Sequence, residues 1–305
     1  MIRIIKEILK PKTLFWTSEV YGRGKLYREY GYYPKILPLN IYSQHGIYHC
    51  EIPYKHELEC EAPVILFFTE TLVRNYRTLK NTSKRDAYKI VDPFVFYRRR
   101  RKVKPQSNSK GTLVFAAHST DNVSNISDVN IFIDDLDRLP EVFRPITICL
   151  HYYDILKNEH LKFQSRGYST ISVGHPSDSN FTKKFYDLLR KFKYTSSNYI
   201  GSYAYYSIEM GIPFFLYGAK PVYMNLLDPN YSNDLDINNE VNLLKYKEAV
   251  SLFAYNDEIP SISKSQMQHV EELLGIKNSI SRLRFSCILY KSYILYLIGK
   301  HLRHR

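Results

Sequence analysis

The chain has 305 residues, enough for two compact domains with a sizeable core. Lys and Arg outnumber Asp and Glu by 43 to 30, so the surface, at a formal +13, favours anionic partners: nucleic acid, phosphorylated small molecules or acidic lipid headgroups. Four scattered cysteines, Cys50, Cys60, Cys149 and Cys287, exclude a disulfide framework and point to a reduced, cytoplasmic compartment, and no apolar run of about eighteen residues offers a bilayer span.

The opening segment, "MIRIIKEILKPK", lacks the apolar core and small-residue cleavage site of a signal peptide. Ile2, Ile5, Ile8 and Leu9 share one helical face, so a basic amphipathic helix is expected. "KTLFW" and "VILFFT" read as short buried strands, and "ETLVRNYRTLKN" as a helix, with a long loop from Gly31 to Pro63. "YRRRRKVKPQSNSKG", Tyr97 to Gly111, has no apolar periodicity and reads as a solvated interdomain linker.

Alternation then resumes. "GTLVFAAHS" predicts a strand and turn, "SDVNIFIDDLDRL" a helix, "ITICLHYYD" a strand, "ILKNEHLKFQSRG" a short helix and "STISVGHPSD" another strand. "FTKKFYDLLRKF" follows as a helix. "YTSSNYIGSYAYYSIEMGIPFFLYG" supplies strand, helix and strand, with Gly211 and Pro213 ending that helix. Strands separated by helices of this length form parallel sheets. The last segment, Ser279 to Arg305, is a long apolar and basic helix.

In a parallel α/β sheet ligands bind beyond the carboxyl ends of the strands. Four such ends are polar here: His118-Ser119-Thr120-Asp121, His151-Tyr152-Tyr153-Asp154, His175-Pro176-Ser177-Asp178 and Ser196-Ser197-Asn198. The helix after Gly201 starts beside the last of them. Its first amides lack intrahelical partners and carry the positive end of the helix dipole, a cradle for phosphate to which Gly201, Ser197 and Ser202 add close approach and hydroxyls. A serine N-cap would serve the helix equally.

"TSSNYIGSYAYYSIEMGIPFFLYG" resembles the second half of the nucleotide-binding domain of GT-B glycosyltransferases that build bacterial surface polysaccharides such as capsule and lipopolysaccharide. "GHP" at Gly174 to Pro176, with Ser196 and Ser197, is similar to the HP and Ser motifs of bacterial sialyl- and polysialyltransferases. "YSQHGIY", Tyr42 to Tyr48, resembles the His-Gly loop of teichoic-acid polymerase-like enzymes, whose His is a candidate base. The resemblance spans much of residues 14–220 and implies an α/β, GT-B-like fold: two Rossmann-type domains facing a cleft, the first reduced. Expected boundaries are 1–104, 105–275 and a C-terminal basic helix, 276–305. It implies a nucleotide-sugar donor, CMP- or UDP-linked, a glycan or lipid-linked glycan acceptor, and no cofactor or metal. His118, Ser119, His151, His175, Pro176, Ser196, Ser197, Asn198, Gly201, Ser202 and Glu209 would bind the donor. Two departures stand out. Where many GT-B enzymes place a ribose-binding Glu this chain has Tyr206, with Glu209 the nearest acid, and the acidic motif of sialyltransferases is replaced at best by Glu19 or Glu51.

An inverting transferase needs a base for the acceptor hydroxyl and donor groups for the leaving phosphate. His45 fits the first role by its residue type, its ordinary pKa lying near neutrality, with Glu19 and Glu51 as alternatives. His45, His49, Cys50, His56 and Cys60 crowd one loop, but at no recognised zinc spacing. Asp134, Asp135 and Asp137 form a D-x-D inside an amphipathic helix, the mark of a solvated face. Arg98 to Lys102 is the best argument for a competing reading, a basic nucleic-acid-binding protein; it lacks interleaved aromatics, and nucleic acid is not the expected partner. Epimerisation of a nucleotide sugar is a third possibility on the same fold. The two terminal helices imply contact with an anionic membrane surface at the inner face of the plasma membrane.

Overall fold

A computed structural model of the protein describes residues 15–79, 86–119, 123–225 and 243–302. The helix expected over Met1–Lys10 lies outside these residues, as do Thr120, Asp121 and Arg303–Arg305.

Two parallel sheets organise the chain, giving an α/β architecture of two Rossmann-like units, the first reduced. The first sheet has three strands, β1 (Tyr42–Ser43), β2 (Val64–Phe67) and β3 (Asp86–Lys89), in that order. The second has five: β4 (Thr112–Phe115), β6 (Ile146–Cys149), β7 (Ser169–Ile171), β8 (Tyr194–Ser197) and β9 (Phe214–Leu216). Their spatial order, β7-β6-β4-β8-β9, is the 3-2-1-4-5 order of a doubly wound sheet. A separate antiparallel ribbon joins β5 (Val123–Asn125) to β10 (Tyr223–Asn225).

The period-2 pattern of buried strands divides three apolar cores. On β2, Val64 and Leu66 face one core while Ile65 and Phe67 face another. On β4, Leu113 and Phe115 face the same core as Val64 and Leu66, and Val114 points to the far side. The two sheets therefore share one apolar interior. Each fully buried Phe or Leu there contributes about 1.5–3 kcal/mol.

Three expectations change. "KTLFW" does not end as a strand: a short helix, Trp16–Glu19, begins at its last residue. The first strand lies instead at Tyr42–Ser43, inside the stretch read as a loop, because two residues carry no periodicity to detect. The supposed linker begins as the end of a helix, Pro93–Arg100, capped by Asp92, whose Oδ1 accepts the Phe94 amide at 2.7 Å. Arg98 and Arg99 pair with buried Glu209, and Arg100 and Arg101 with Glu29. A run of four like charges is tolerated because a helix spreads them toward two carboxylates.

The last helix, Arg282–Leu302, packs on the first unit through Phe285, Ile288, Leu289 and Ser292. Phe285 meets the rings of Tyr27 and Tyr30, and the Ser292 carbonyl accepts Asn40 Nδ2 at 2.8 Å. Its opposite face exposes Leu283, Tyr290, Ile294 and Ile298. No helix among the described residues is long and apolar enough to cross a membrane.

Candidate active site between the two units

Strand register sets the site. Phe115 is level with Cys149 and Ser197, Cys149 with Ile171, and Ser197 with Leu216. The loops after β4, β6, β7 and β8 thus leave the sheet along one edge, and the order reverses between β4 and β8, the usual place for a ligand. Asn198 closes this switch point: its Oδ1 accepts the Ala117 amide at 3.3 Å and its Nδ2 donates to the Ala219 carbonyl at 2.9 Å.

The first unit brings His45 to the same edge. Gln44, fully buried after β1, accepts the Phe68 amide on Oε1 (3.0 Å) and donates from Nε2 to the Gly46 carbonyl (2.9 Å). The buried guanidinium of Arg23 donates to the Gln44 carbonyl at 2.7 Å. Gly46 lies at φ +83°, a left-handed conformation that glycine adopts without strain. The next amide, Ile47, donates to Ser202 Oγ at 3.1 Å, so the His-Gly turn sits on the N-terminus of the helix Ser202–Met210. A second junction ties the Tyr21 amide to the Pro176 carbonyl (2.6 Å) and Thr182 Oγ1 to the Tyr21 carbonyl (2.8 Å).

His45, His118 and His151 thereby converge. The His118 and His151 rings stack at 4.6 Å, and His45 lies against Trp16 (4.7 Å) and Tyr21 (5.8 Å). Burial depresses all three: His45 and His151 to about 3, His118 to about 4. Arg23 and the neighbouring imidazoles push His45 further in the same direction, and His118 and His175 do so for His151. The ordinary near-neutral value expected for His45 thus does not hold in the folded protein. Both nitrogens of His151 and Nδ1 of His45 are buried without a hydrogen-bond partner. Buried polar atoms are nearly always paired, yet Arg23 Nε, Asp154 Oδ2 and Ser196 Oγ near this edge are unpaired as well, so the edge holds a group of uncommitted polar atoms. His175 is exposed at the rim, 4.8 Å from Tyr152. The Ser177 amide donates to its Nδ1 at 3.0 Å, which leaves the proton of the neutral ring on Nε2.

The remaining candidates have other duties. Ser119 Oγ accepts the Asn125 amide (3.0 Å), and its own amide is held by Asp154 (3.2 Å), whose carboxyl burial raises to about 6. Ser197 Oγ bonds to the Tyr203 hydroxyl (2.8 Å), while Ser196 Oγ is buried in the strand with no partner. Gly201 has an extended backbone open to any residue; glycine is required because a Cβ would lie 2.6 Å from the Tyr203 ring. Its close approach thus serves an aromatic ring of the chain itself. Ser202 holds the His45 loop. Glu209 lies at the far end of the helix, its Oε1 2.6 Å from Arg98 and 2.8 Å from Arg99, a structural anchor rather than a free ribose acceptor. Glu19 is held by Arg28 at 2.8 Å. Glu51 is exposed, its carbonyl accepting Asn75 Nδ2 at 2.7 Å.

The crowded His/Cys loop also disperses. His49 shares a hydrogen bond with Tyr205 (2.8 Å), and no group of three His, Cys, Asp or Glu suited to a metal occurs among the described residues. Asp134 and Asp137 pair with Arg166 on the surface, as expected of a solvated face. A depression of about 670 Å³ lined by Arg99, Arg100, Ser279 and Ser281 lies beside the start of the last helix and includes none of these histidines. Sequence reasoning missed Tyr21, Arg23 and Gln44. The signals available were "YGRG", Tyr21 to Gly24, a glycine-rich break, and the place of Gln44 beside His45 in "YSQHGIY".

No protein-family model matches the chain, and no curated protein does. Among solved structures it is similar to the wall teichoic acid polymerase TagF soaked with CDPG, at 14% identity and a TM-score of 0.34, over 77% of this chain and 57% of that one. A second TagF structure gives 13% identity and a TM-score of 0.31 over 76% and 52%. The chain spans a little over half the length of these structures. The fold assignment rests on the two parallel sheets themselves.

Proposed function

We propose that this chain is a GT-B-type glycosyltransferase that moves a sugar or related group from a nucleotide-linked donor to a glycan or lipid-linked glycan acceptor in cell-surface polymer synthesis. The observation that carries this reading is the meeting of His45 from one unit with His118 and His151 from the other, with buried imidazole nitrogens left unpaired. His118, His151 and His175 would hold the donor phosphates beside the N-terminus of Ser202–Met210. His45 would take the acceptor proton. An anionic donor raises the depressed histidine pKa values toward the working range of a general base, so the bound cleft is better tuned than the empty one. The reaction site belongs to both units, which suits a donor on one side and an acceptor on the other.

The outward stripe of the last helix supports a membrane setting. Leu283, Tyr290, Ile294 and Ile298 form an apolar line, Arg284 and Lys291 are exposed beside it, and the helix has no carboxylate. That charge complements an anionic bilayer surface, with the helix lying in the headgroup plane. The nucleic-acid reading loses its main support, since Arg98 to Arg101 are all engaged by Glu209 and Glu29.

Thermal shift with CMP-, CDP-, UDP- and GDP-linked sugars tests the transferase reading. A donor at about a hundredfold excess over its Kd should stabilise by about 2.7 kcal/mol, and His118→Asn with His151→Asn should remove that shift. No stabilisation by any of the four classes would overturn it.

A further inference from the structure

The chain's single tryptophan is exposed at the candidate base. Trp16 is 56% exposed, and what sets it apart from the other exposed apolar side chains is its position against the imidazole of His45. Its backbone is not loose. The next two residues are fully buried, with Ser18 Oγ donating to the Ile41 carbonyl (2.7 Å) and Thr17 Oγ1 accepting the Ser43 amide (3.4 Å). Both bonds tie the short helix to β1, the strand that leads into His45. The backbones that carry the indole and the imidazole, whose rings lie 4.7 Å apart and tilted by 56°, are thus anchored to the same strand. Tyr21 stacks on the same imidazole at 21°, so aromatic rings border the base on the first unit's side of the cleft.

A flat indole face beside the candidate base suits a ligand with an apolar face and a hydroxyl rim. The C–H face of a pyranose is apolar while its hydroxyls lie around the rim, so it can cover an aromatic face and still present oxygens to a neighbouring group. Tryptophan suits such use, having a large apolar body at low entropy cost and a polar N–H edge. We propose that Trp16 is the acceptor platform: the terminal pyranose of the acceptor stacks on the indole, which brings one of its hydroxyls to His45. This rests on the transferase reading above, with the acceptor on the side of the first unit, and adds to it the side chain that carries the acceptor and the ring form of its terminal residue.

Because Trp16 is the only tryptophan, its emission reports the platform directly in the unmodified protein. The probes are chitotriose, methyl β-D-glucopyranoside and methyl β-D-galactopyranoside, with glycerol 3-phosphate as an open-chain control and anionic phosphatidylglycerol vesicles as a lipid control. A saturable change in emission with a pyranoside, and none with glycerol 3-phosphate or vesicles, supports the inference. A response to glycerol 3-phosphate alone or to vesicles alone, or no response to any probe, overturns it. In steady-state transfer Trp16→Ala should raise the acceptor KM about tenfold, equivalent to about 1.4 kcal/mol, while Trp16→Phe retains most of the affinity. An unchanged acceptor KM in Trp16→Ala overturns it as well. The nucleotide panel on the same sample separates the two readings. Donor stabilisation without a saccharide response leaves the transferase standing and removes the platform, whereas a saccharide response without any nucleotide shift keeps Trp16 as a saccharide site and removes the transferase.

Discussion

Donor binding should draw protons from solvent, and the number is set by the histidine cluster. In the free protein His118 is held down to about 4 and His151 to about 3, in both cases first by burial. At pH 6.5 both rings are therefore neutral. A phosphate charge about 4 Å from an imidazole in an environment of effective dielectric about 20 favours the imidazolium by about 4 kcal/mol, or roughly three pKa units. That lifts His118 to near neutrality and His151 to slightly below it. The sign follows directly: the bound state holds more protons than the free state, so binding takes protons up at pH 6.5 and takes up almost none at pH 8.5. Calorimetric titration with the nucleotide sugar that gives the largest thermal shift reads the number as the slope of observed enthalpy against buffer ionisation enthalpy. Such a phosphodiester has no phosphate titrating near neutrality, so the slope reports the protein. We expect between half a proton and one at pH 6.5, because the stacked rings repel when both are charged, falling by the contribution of each ring in His118→Asn and His151→Asn. A zero slope with clear binding at pH 6.5, or proton release, would refute the reasoning.

Replacing His45 by Ala should lower kcat by roughly 10²–10⁴ with donor affinity nearly intact; wild-type turnover would place the base elsewhere. Glu209→Gln should destabilise the fold by about 3 kcal/mol in urea titration, the low end for breaking a buried pair because Arg98 and Arg99 keep contact with water, and should leave nucleotide affinity unchanged; a selective loss of affinity would restore a ribose role. Ser202→Ala removes the acceptor of the Ile47 amide and should cost about 1 kcal/mol of stability together with a drop in kcat; equal kcat with weaker nucleotide binding would assign the hydroxyl to the donor instead. Leu283→Glu with Ile294→Glu should reduce flotation with anionic liposomes at unchanged melting temperature, whereas equal recovery of both proteins on neutral vesicles would separate the stripe from lipid.

Much of the second unit was legible in the sequence. "TLVF", "ITIC", "YTSS" and "FFL" became the aligned strands β4, β6, β8 and β9. Helices of ordinary length lie between most of them, and that pattern permits parallel pairing with little choice. The polar residues following these strands were legible as a set for the same reason, since parallel strands in register must end on one edge. What each residue does there could not be read. Ser119, Ser197, Ser202 and Asn198 have the chemistry of phosphate ligands, yet each has a partner that comes from another part of the chain or from a neighbouring turn, and a hydroxyl already committed looks the same in sequence as one left free. The arginine run shows the converse: charge density suggested a solvated linker, and only the long-range approach of Glu209, over a hundred residues away, made it a seam. His45 needed both levels. The His-Gly pair in "YSQHGIY" marked the turn, but burial in the fold, the neighbouring Arg23 and the approach of His56, His118 and His151 set its pKa. Local sequence determines periodicity, breaks and caps because these depend on neighbours in the chain. Desolvation and partner choice depend on neighbours in space, and those were decided when the two sheets closed on one core.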